Sequence, residues 1–406
     1  MIRSRSFLDF LMLASTLGTG ACAHATDALA MEDNNPPKKV PSLYDSCSQF
    51  IRKTIEDEIQ RNPAELPPTL VLAQEARGPQ ETIEVLFGSS YDVRDFEHLN
   101  RSFLREFPTI KFGFRLQMHS RIRIQSMFEL FAQNNTVLTN LDLHYSGTKF
   151  IIEKLNLLSN LKILDLSWTK MRGDIHHLAS LTRLTTLDLS NTELKDNDIA
   201  RLEALTNLQT LDLTNNRNTA HCLSSIGKLV SLTDLNLFHT AGHVGGHSEA
   251  LTSLTNLTIL DLSACVGDGF CLEHLSPLTQ LRHLTLRGMD ITPQRVCALS
   301  SLTNLEILNL GLNPIGAEGA AVVGGLTNLI ELELMENRIG DAGFAHLSSL
   351  VNLEFLDAAG NDISAAGLLV LDHLTNLKRL EIRYNQIRLG DPALEAIQKK
   401  GVMINL

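Results

Sequence analysis

Aromatic residues make up only 5% of the 406-residue chain, with one tryptophan and four tyrosines, so any core must be aliphatic. Basic runs are missing and the formal net charge is −11. That sign opposes a phosphate backbone, so nucleic acid is not an expected partner. No apolar stretch reaches the ~20 residues that an integral membrane span requires. The six cysteines are widely scattered, which does not read as a disulfide framework. The signatures GxSxG, GKS and HExxH are absent as well. The chain therefore shows no catalytic residue and no cofactor site, and is not read as an enzyme.

Leucine, in contrast, is everywhere, and it is periodic. Leu138 opens "LTNLDLHYSG", and the phrase returns as "LKILDLSWT", "LTTLDLSNT", "LQTLDLTNN", "LTDLNLFHT" and "LTILDLSAC". It goes on as "LRHLTLRGM", "LEILNLGLN", "LIELELMEN", "LEFLDAAGN" and "LKRLEIRYN". The opening leucines are 138, 161, 184, 208, 232, 257, 281, 305, 329, 353 and 377, every spacing lying between 23 and 25 residues. Apolar residues at the fourth and sixth positions alternate, which places them on one face of a short strand. Later apolar positions, as in "IGDAGFAHLSSL", have helical spacing and return the chain along the outside. One such unit cannot bury its own leucines, but stacked neighbours can.

The phrase L-x-x-L-x-L-x-x-N resembles the leucine-rich repeat family over about two-thirds of the chain. The resemblance implies an α/β fold: a right-handed solenoid of about eleven repeats over residues 138–406. The ninth position normally carries a polar side chain that bonds buried backbone groups after the strand. Here it reads Ser146, Thr169, Thr192, Asn216, Thr240, Cys265, Met289, Asn313, Asn337, Asn361 and Asn385. Cys265 is thereby a ladder residue rather than half of a redox pair with Cys271, whereas Met289 lacks the hydrogen bonds the position calls for. The 24-residue length and phrases such as "IGAEGAAVVGGL" also resemble bacterial repeats of the GALA kind, found in effectors of plant pathogens.

Ahead of the repeats, residues 1–25 have a basic start, a short apolar stretch and small residues near Ala23 and Ala25, the pattern of an export signal. Lipidation at Cys22 is an alternative fate. Residues 26–44 have linker composition, and 45–137 read as a small helical cap, with "TIKFGF" as a strand. Within that cap "DVRDFEHLNRSFLREF" is weakly similar to the second half of an F-box, without its leucine–proline start. This resemblance implies an alternative role, an adaptor between a host target and ubiquitin-ligase machinery. The chain is expected to be secreted or extracytoplasmic, or delivered into a host cell as an effector. At the other end "MINL" falls in register as a further strand, after a capped helix in "DPALEAIQKKG".

Strand residues between the leucines project onto the concave face, the natural binding surface of a solenoid. One column there is acidic or amide over most of its length: Asp142, Asp165, Asp188, Asp212, Asn236, Asp261, Thr285, Asn309, Glu333, Asp357 and Glu381. Such residues can solvate the face, or meet a protein partner with a basic patch. Candidate binding residues are Tyr145, Trp168, Asp188, Asp212, Phe238, His239, Arg287, Met335, Arg383 and Tyr384. Exposed aromatics and arginines are the usual material of hot spots. "HTAGHVGGH" spaces His239, His243 and His247 four apart, but its glycines and register lay it across a turn, with His239 inside and His247 outside. It reads as loop histidines, not as a metal site.

Overall fold

The computed structural model describes residues 139–406, except short stretches at 145–148, 172–173, 218–220, 241–243 and 266–269, and three earlier strands at 70–73, 83–87 and 110–114. The chain forms two compact units, residues 1–143 and 144–406. In the first, β1 (Leu70–Ala73) pairs antiparallel with β2 (Ile83–Phe87), and β2 pairs parallel with β3 (Ile110–Phe114). Strand β4 (Asn140–Asp142), from the first repeat, follows in parallel through Gly113 and Asp142. Of the strands within 45–137, β3 falls on the expected "TIKFGF", whereas β1 and β2 were not expected from sequence. Strands of four to five residues are too short to show a period. The segments read as signal, linker and F-box-like helices lie outside the described residues.

The second unit is built from one strand per repeat. They are β5 (Ile163–Asp165), β6 (Thr186–Asp188), β7 (Thr210–Asp212), β8 (Asp234–Asn236), β9 (Ile259–Asp261) and β10 (His283–Thr285). Next come β11 (Ile307–Asn309), β12 (Glu331–Glu333), β13 (Phe355–Asp357), β14 (Arg379–Glu381) and β15 (Met403–Asn405). They pair in parallel, in sequence order and in strict register, so that Leu164, Leu187, Leu211, Leu235 and Leu260 stand side by side. The register is set by the leucines: slipping one residue would turn the whole buried set outward. The two apolar core positions of each repeat from β4 to β14, such as Leu187 and Leu189, are at most 1% exposed. A Leu→Ala change at such a site costs roughly 2–5 kcal/mol.

The return segments are short and mostly 3₁₀, for example Asp174–Ser180, Cys297–Ser301 and Gly367–Asp372. The α-helical exceptions include Gly316–Gly324 and Gly340–Ala345. Small residues permit their close stacking. A Cβ at Gly343 would lie 2.9 Å from the Ala317 backbone in the preceding repeat. The expected C-terminal helix is present at Pro392–Lys399, with Pro392 in its first turn and Gly401 in the left-handed region just beyond it. Strand β15 follows in register, pairing Leu380 with Ile404.

Two amide ladders bind the repeats together. At the ninth position Asn361 gives its Nδ2 to the Leu334 carbonyl in the previous repeat, and its Oδ1 accepts from the N–H groups of Asn337 and Ile339. Asn216, Asn313 and Asn385 make corresponding bonds. Thr240 and Cys265 supply one donor each, to the carbonyls of Leu213 and Leu237. Cys265 is fully buried and none of Cys222, Cys265, Cys271 and Cys297 is in a disulfide. Met289 donates nothing from its side chain, but its N–H is taken by Asn313 Oδ1 at 3.0 Å. The second ladder, not anticipated from sequence, lies just before the strands. Asn207, Asn256, Asn304, Asn328, Asn352 and Asn376 each donate to a carbonyl one repeat back.

Candidate binding surface

The inner face of the second unit is made by the third, fifth, seventh and eighth positions of each repeat. The fifth-position column has a local structural task first. Asp165, Asp188, Asp212 and Asp261 each accept, through Oδ1, the backbone N–H two residues on, at 2.7–2.8 Å. Asn236, Asn309 and Asp357 do the same at 2.9–3.0 Å. These are Asx turns, and they close the strand into the bend that follows. Where Thr285 interrupts the column, the N–H of Arg287 turns to Ser263 Oγ instead, at 3.2 Å.

The bend drives the eighth position into the left-handed region. Trp168, Asn191, Asn215, His239, Ala264, Leu312, Glu336 and Tyr384 all have φ between 53° and 59°, and Gly288 and Gly360 share the conformation at 64°. Holding a non-glycine residue there costs on the order of 1–2 kcal/mol. From Trp168 to Gly360 each is fixed by a ladder bond to the next repeat, such as that from Trp168 N to Ser190 O at 2.9 Å. The conformation tips bulky side chains away from the core: Trp168 is 51% exposed and Tyr384 85%.

The candidate residues therefore fall into three columns. Asp188 and Asp212 are in the fifth, Phe238, Arg287, Met335 and Arg383 in the seventh, and Trp168, His239 and Tyr384 in the eighth. Tyr145 lies outside the described residues. The structure brings some together. Phe238 and His239 have ring centroids 5.9 Å apart, and His239 Nδ1 lies 2.8 Å from Asn215 Oδ1 and 3.3 Å from Arg217. Arg287 reaches across two repeats to within 4.0 Å of the Met335 sulfur. Trp168 and Phe238, three strands apart, are separated by about 14 Å along the sheet at ~4.8 Å per strand. Tyr384, six repeats beyond His239, is about 29 Å from it on the same measure. The ten candidates thus span an extended surface rather than one cluster.

Sequence reasoning passed over the third-position column, which shares this face by the same alternation. It includes the 39%-exposed Ile259, the acidic Asp234 and Glu331, and Arg379, whose guanidinium lies 4.0 Å over the Phe355 ring. Leu312, 39% exposed at an eighth position, was passed over too. Electrostatically the face is under strain. Burial, with the like charges of Asp165 and Asp212, holds the Asp188 carboxyl above its ordinary range despite the Ser190 bond. Burial and Asp357 do the same to Glu333, with Arg287 opposing.

On the outer side His247 sits 3.6 Å from Glu249 and edge-on to His221, as the register requires, while His243 lies outside the described residues. Cys271 donates to Glu273 at 2.8 Å, and that carboxylate pushes the thiol up. Among the described residues no helix is long and apolar enough to cross a membrane.

This geometry, parallel strands in register with returns behind them and an asparagine ladder at the turn, is that of a leucine-rich repeat solenoid. A leucine-rich repeat region model matches residues 241–400, and a two-copy leucine-rich repeat model matches 182–220. No curated protein matches the chain in sequence. Among solved structures the chain is similar to an internalin of Listeria monocytogenes, at 21% identity and a TM-score of 0.58, covering 80% of this chain and 86% of that one. A leucine-rich repeat protein of Leptospira interrogans gives 19% identity and 0.57, covering 86% and 98%. A TLR13–ssRNA13 complex gives 24% and 0.53, covering 75% and 44%.

Proposed function

We propose that the protein is a non-enzymatic scaffold that recognises a protein partner on the inner face of its repeats. The observation that carries this reading is the exposed, rigidly held series of side chains on that face. Trp168 and Phe238 stand out from a backbone fixed by ladder and turn bonds, and Tyr384 is exposed on the same face. Rigid presentation lowers the ordering cost of association. RNA is bound by one of the similar structures, but five aspartates across β5–β9 give this face the sign of a phosphate backbone. A protein partner with a basic patch is the better match, with complementary charge accelerating encounter.

The N-terminal pattern of basic start, apolar stretch and small residues further suggests export from a bacterium and a role in host interaction. Sequencing the mature N-terminus would test this: a start near residue 24–26 supports export, and an intact Met1 removes it. The binding reading is tested by identifying the partner that the mature chain retains, then measuring its affinity for the Trp168→Ala, Phe238→Ala double variant. A loss of about 2 kcal/mol or more is expected for a central hot spot. Unchanged affinity at unchanged stability would move the site off the inner face. The adaptor alternative requires ligase subunits recovered through residues 45–137 and not through the repeats.

A further inference from the structure

The carboxylates of the inner face are not neutralised evenly along the solenoid. In β12–β14 the protein supplies its own cations. Glu333 accepts from Asn309 at 2.6 Å and feels Arg287 and Arg379, and Glu381 pairs with Arg383 at 3.4 Å. In β5–β9 the matching residues Asp165, Asp188, Asp212, Asp234 and Asp261 have no lysine or arginine within ion-pair distance among the described residues. Each turn aspartate spends Oδ1 on its own backbone, which fixes the carboxylate and leaves Oδ2 turned away from that bond. Asn236 takes the one on Asp212 at 3.2 Å. Five like charges about one strand spacing apart are unfavourable in isolation. They become favourable when cations are placed over them.

Two exposed aromatic side chains border this half of the face. Trp168 follows β5 and Phe238 follows β8, so Asp188 and Asp212 lie in the strands between them. An indole beside carboxylates suits a guanidinium, which can stack on the ring and pair with the acid at once. We propose that β5–β9, and not β10–β14, receives the partner, and that the partner presents a cationic segment with arginine side chains over Asp188, Asp212 and Trp168. This rests on the scaffold reading above and adds where the partner sits and by what chemistry.

The test uses the full chain and a six-residue arginine peptide as probe, with the fluorescence of the single tryptophan, Trp168, as readout. Binding should be seen in 50 mM salt and weaken at least tenfold in 300 mM. The Asp188→Asn, Asp212→Asn variant keeps the turn acceptors and removes two charges, and should bind at least tenfold more weakly. The Glu331→Gln, Glu333→Gln variant removes the same charge from the other half and should change affinity less than threefold. Absence of binding at 50 mM salt, equal losses in both variants, or equal affinity for spermine would each overturn the proposal. If the peptide fails while the natural partner is still lost with Trp168→Ala, Phe238→Ala, only this inference falls and the scaffold reading stands.

Discussion

Asp188 Oδ1 accepts the backbone N–H of Ser190 at 2.8 Å, in a strand flanked by those of Asp165 and Asp212. The same side chain thus closes a turn and suffers two like neighbours. Asp188→Asn keeps the acceptor and deletes the charge, so it should stabilise the fold by about 0.5 kcal/mol at neutral pH. Asp188→Ala loses the turn bond and should destabilise. The pH dependence follows from the raised folded value. A carboxyl that holds its proton more tightly when folded gains stability as pH falls through that value toward the ordinary 3.8. The advantage of Asp188→Asn should therefore be full above the raised value, shrink as pH falls from there toward 3.8, and be gone below 3.8. Denaturant melts of both proteins between pH 3 and 8 would show this; a constant difference would refute it.

The buried amide ladder makes a graded prediction. Asn361 uses both ends of its side chain, whereas the Oδ1 of Asn337 is buried without a partner. The reason is local: in the repeat before Asn337, the Ile315 N–H is diverted to the Asn313 carbonyl. Removing a partner from a buried polar group costs roughly 1–3 kcal/mol. Asn361→Ala should therefore cost about 3 kcal/mol and Asn337→Ala about 1 kcal/mol less. Equilibrium urea unfolding of the two variants gives the comparison. Equal losses would mean that the Oδ1 contacts carry no net energy.

Much of this was legible in the sequence, because a 24-residue repeat writes each structural requirement many times over. The strand leucines follow from period and alternation alone; the ninth-position ladder and the place of Cys265 in it follow from the resemblance to leucine-rich repeats. The fifth-position acids were visible as a column, but their bond to the N–H two residues on depends on a turn geometry that periodicity does not encode. The eighth position hid for the same reason. A column reading Trp, Asn, Asn, His, Ala, Gly, Leu, Glu, Gly, Tyr shows no single chemistry; what its members share is φ. Uneven neutralisation was hidden too, since Arg287 and Arg379 reach Glu333 from other repeats. Strands β1 and β2 were missed because they stand outside the repeat and occur once.

Cysteine reactivity should separate by environment. Cys222 and Cys265 are buried, Cys271 is partly covered and Cys297 is exposed. The Glu273 carboxylate next to Cys271 disfavours its thiolate, the reactive form. Alkylation of the native protein, mapped by peptide, should label Cys297 first and Cys271 slowly at pH 7.5, with the Cys271 rate rising steeply as pH increases. Cys222 and Cys265 should label only on unfolding. Glu273→Gln should speed Cys271 without affecting Cys297. Rapid native labelling of Cys265 would contradict its role in the ladder.

Leu312 provides the last test, because it occupies the left-handed eighth position with neither glycine's freedom nor asparagine's tolerance of it. Its φ is 59°, and its side chain is 39% exposed, so little burial compensates for the strain. Asn191 and Asn215 hold the same conformation after β6 and β7. Leu312→Asn should therefore raise stability by about 0.5–1 kcal/mol, part of the cost of the left-handed region being relieved. Leu312→Gly relieves the strain too, but gives the unfolded chain more freedom, worth roughly 0.5–1 kcal/mol in the opposite direction. It should therefore fall near wild type. Leu312→Val puts a β-branched residue at positive φ and should lose stability. The order Asn, Gly, Val is the expected result of thermal unfolding. If Val matched Asn, the conformation of this column would not be limiting, and the exposure of Trp168 and Tyr384 would need another cause.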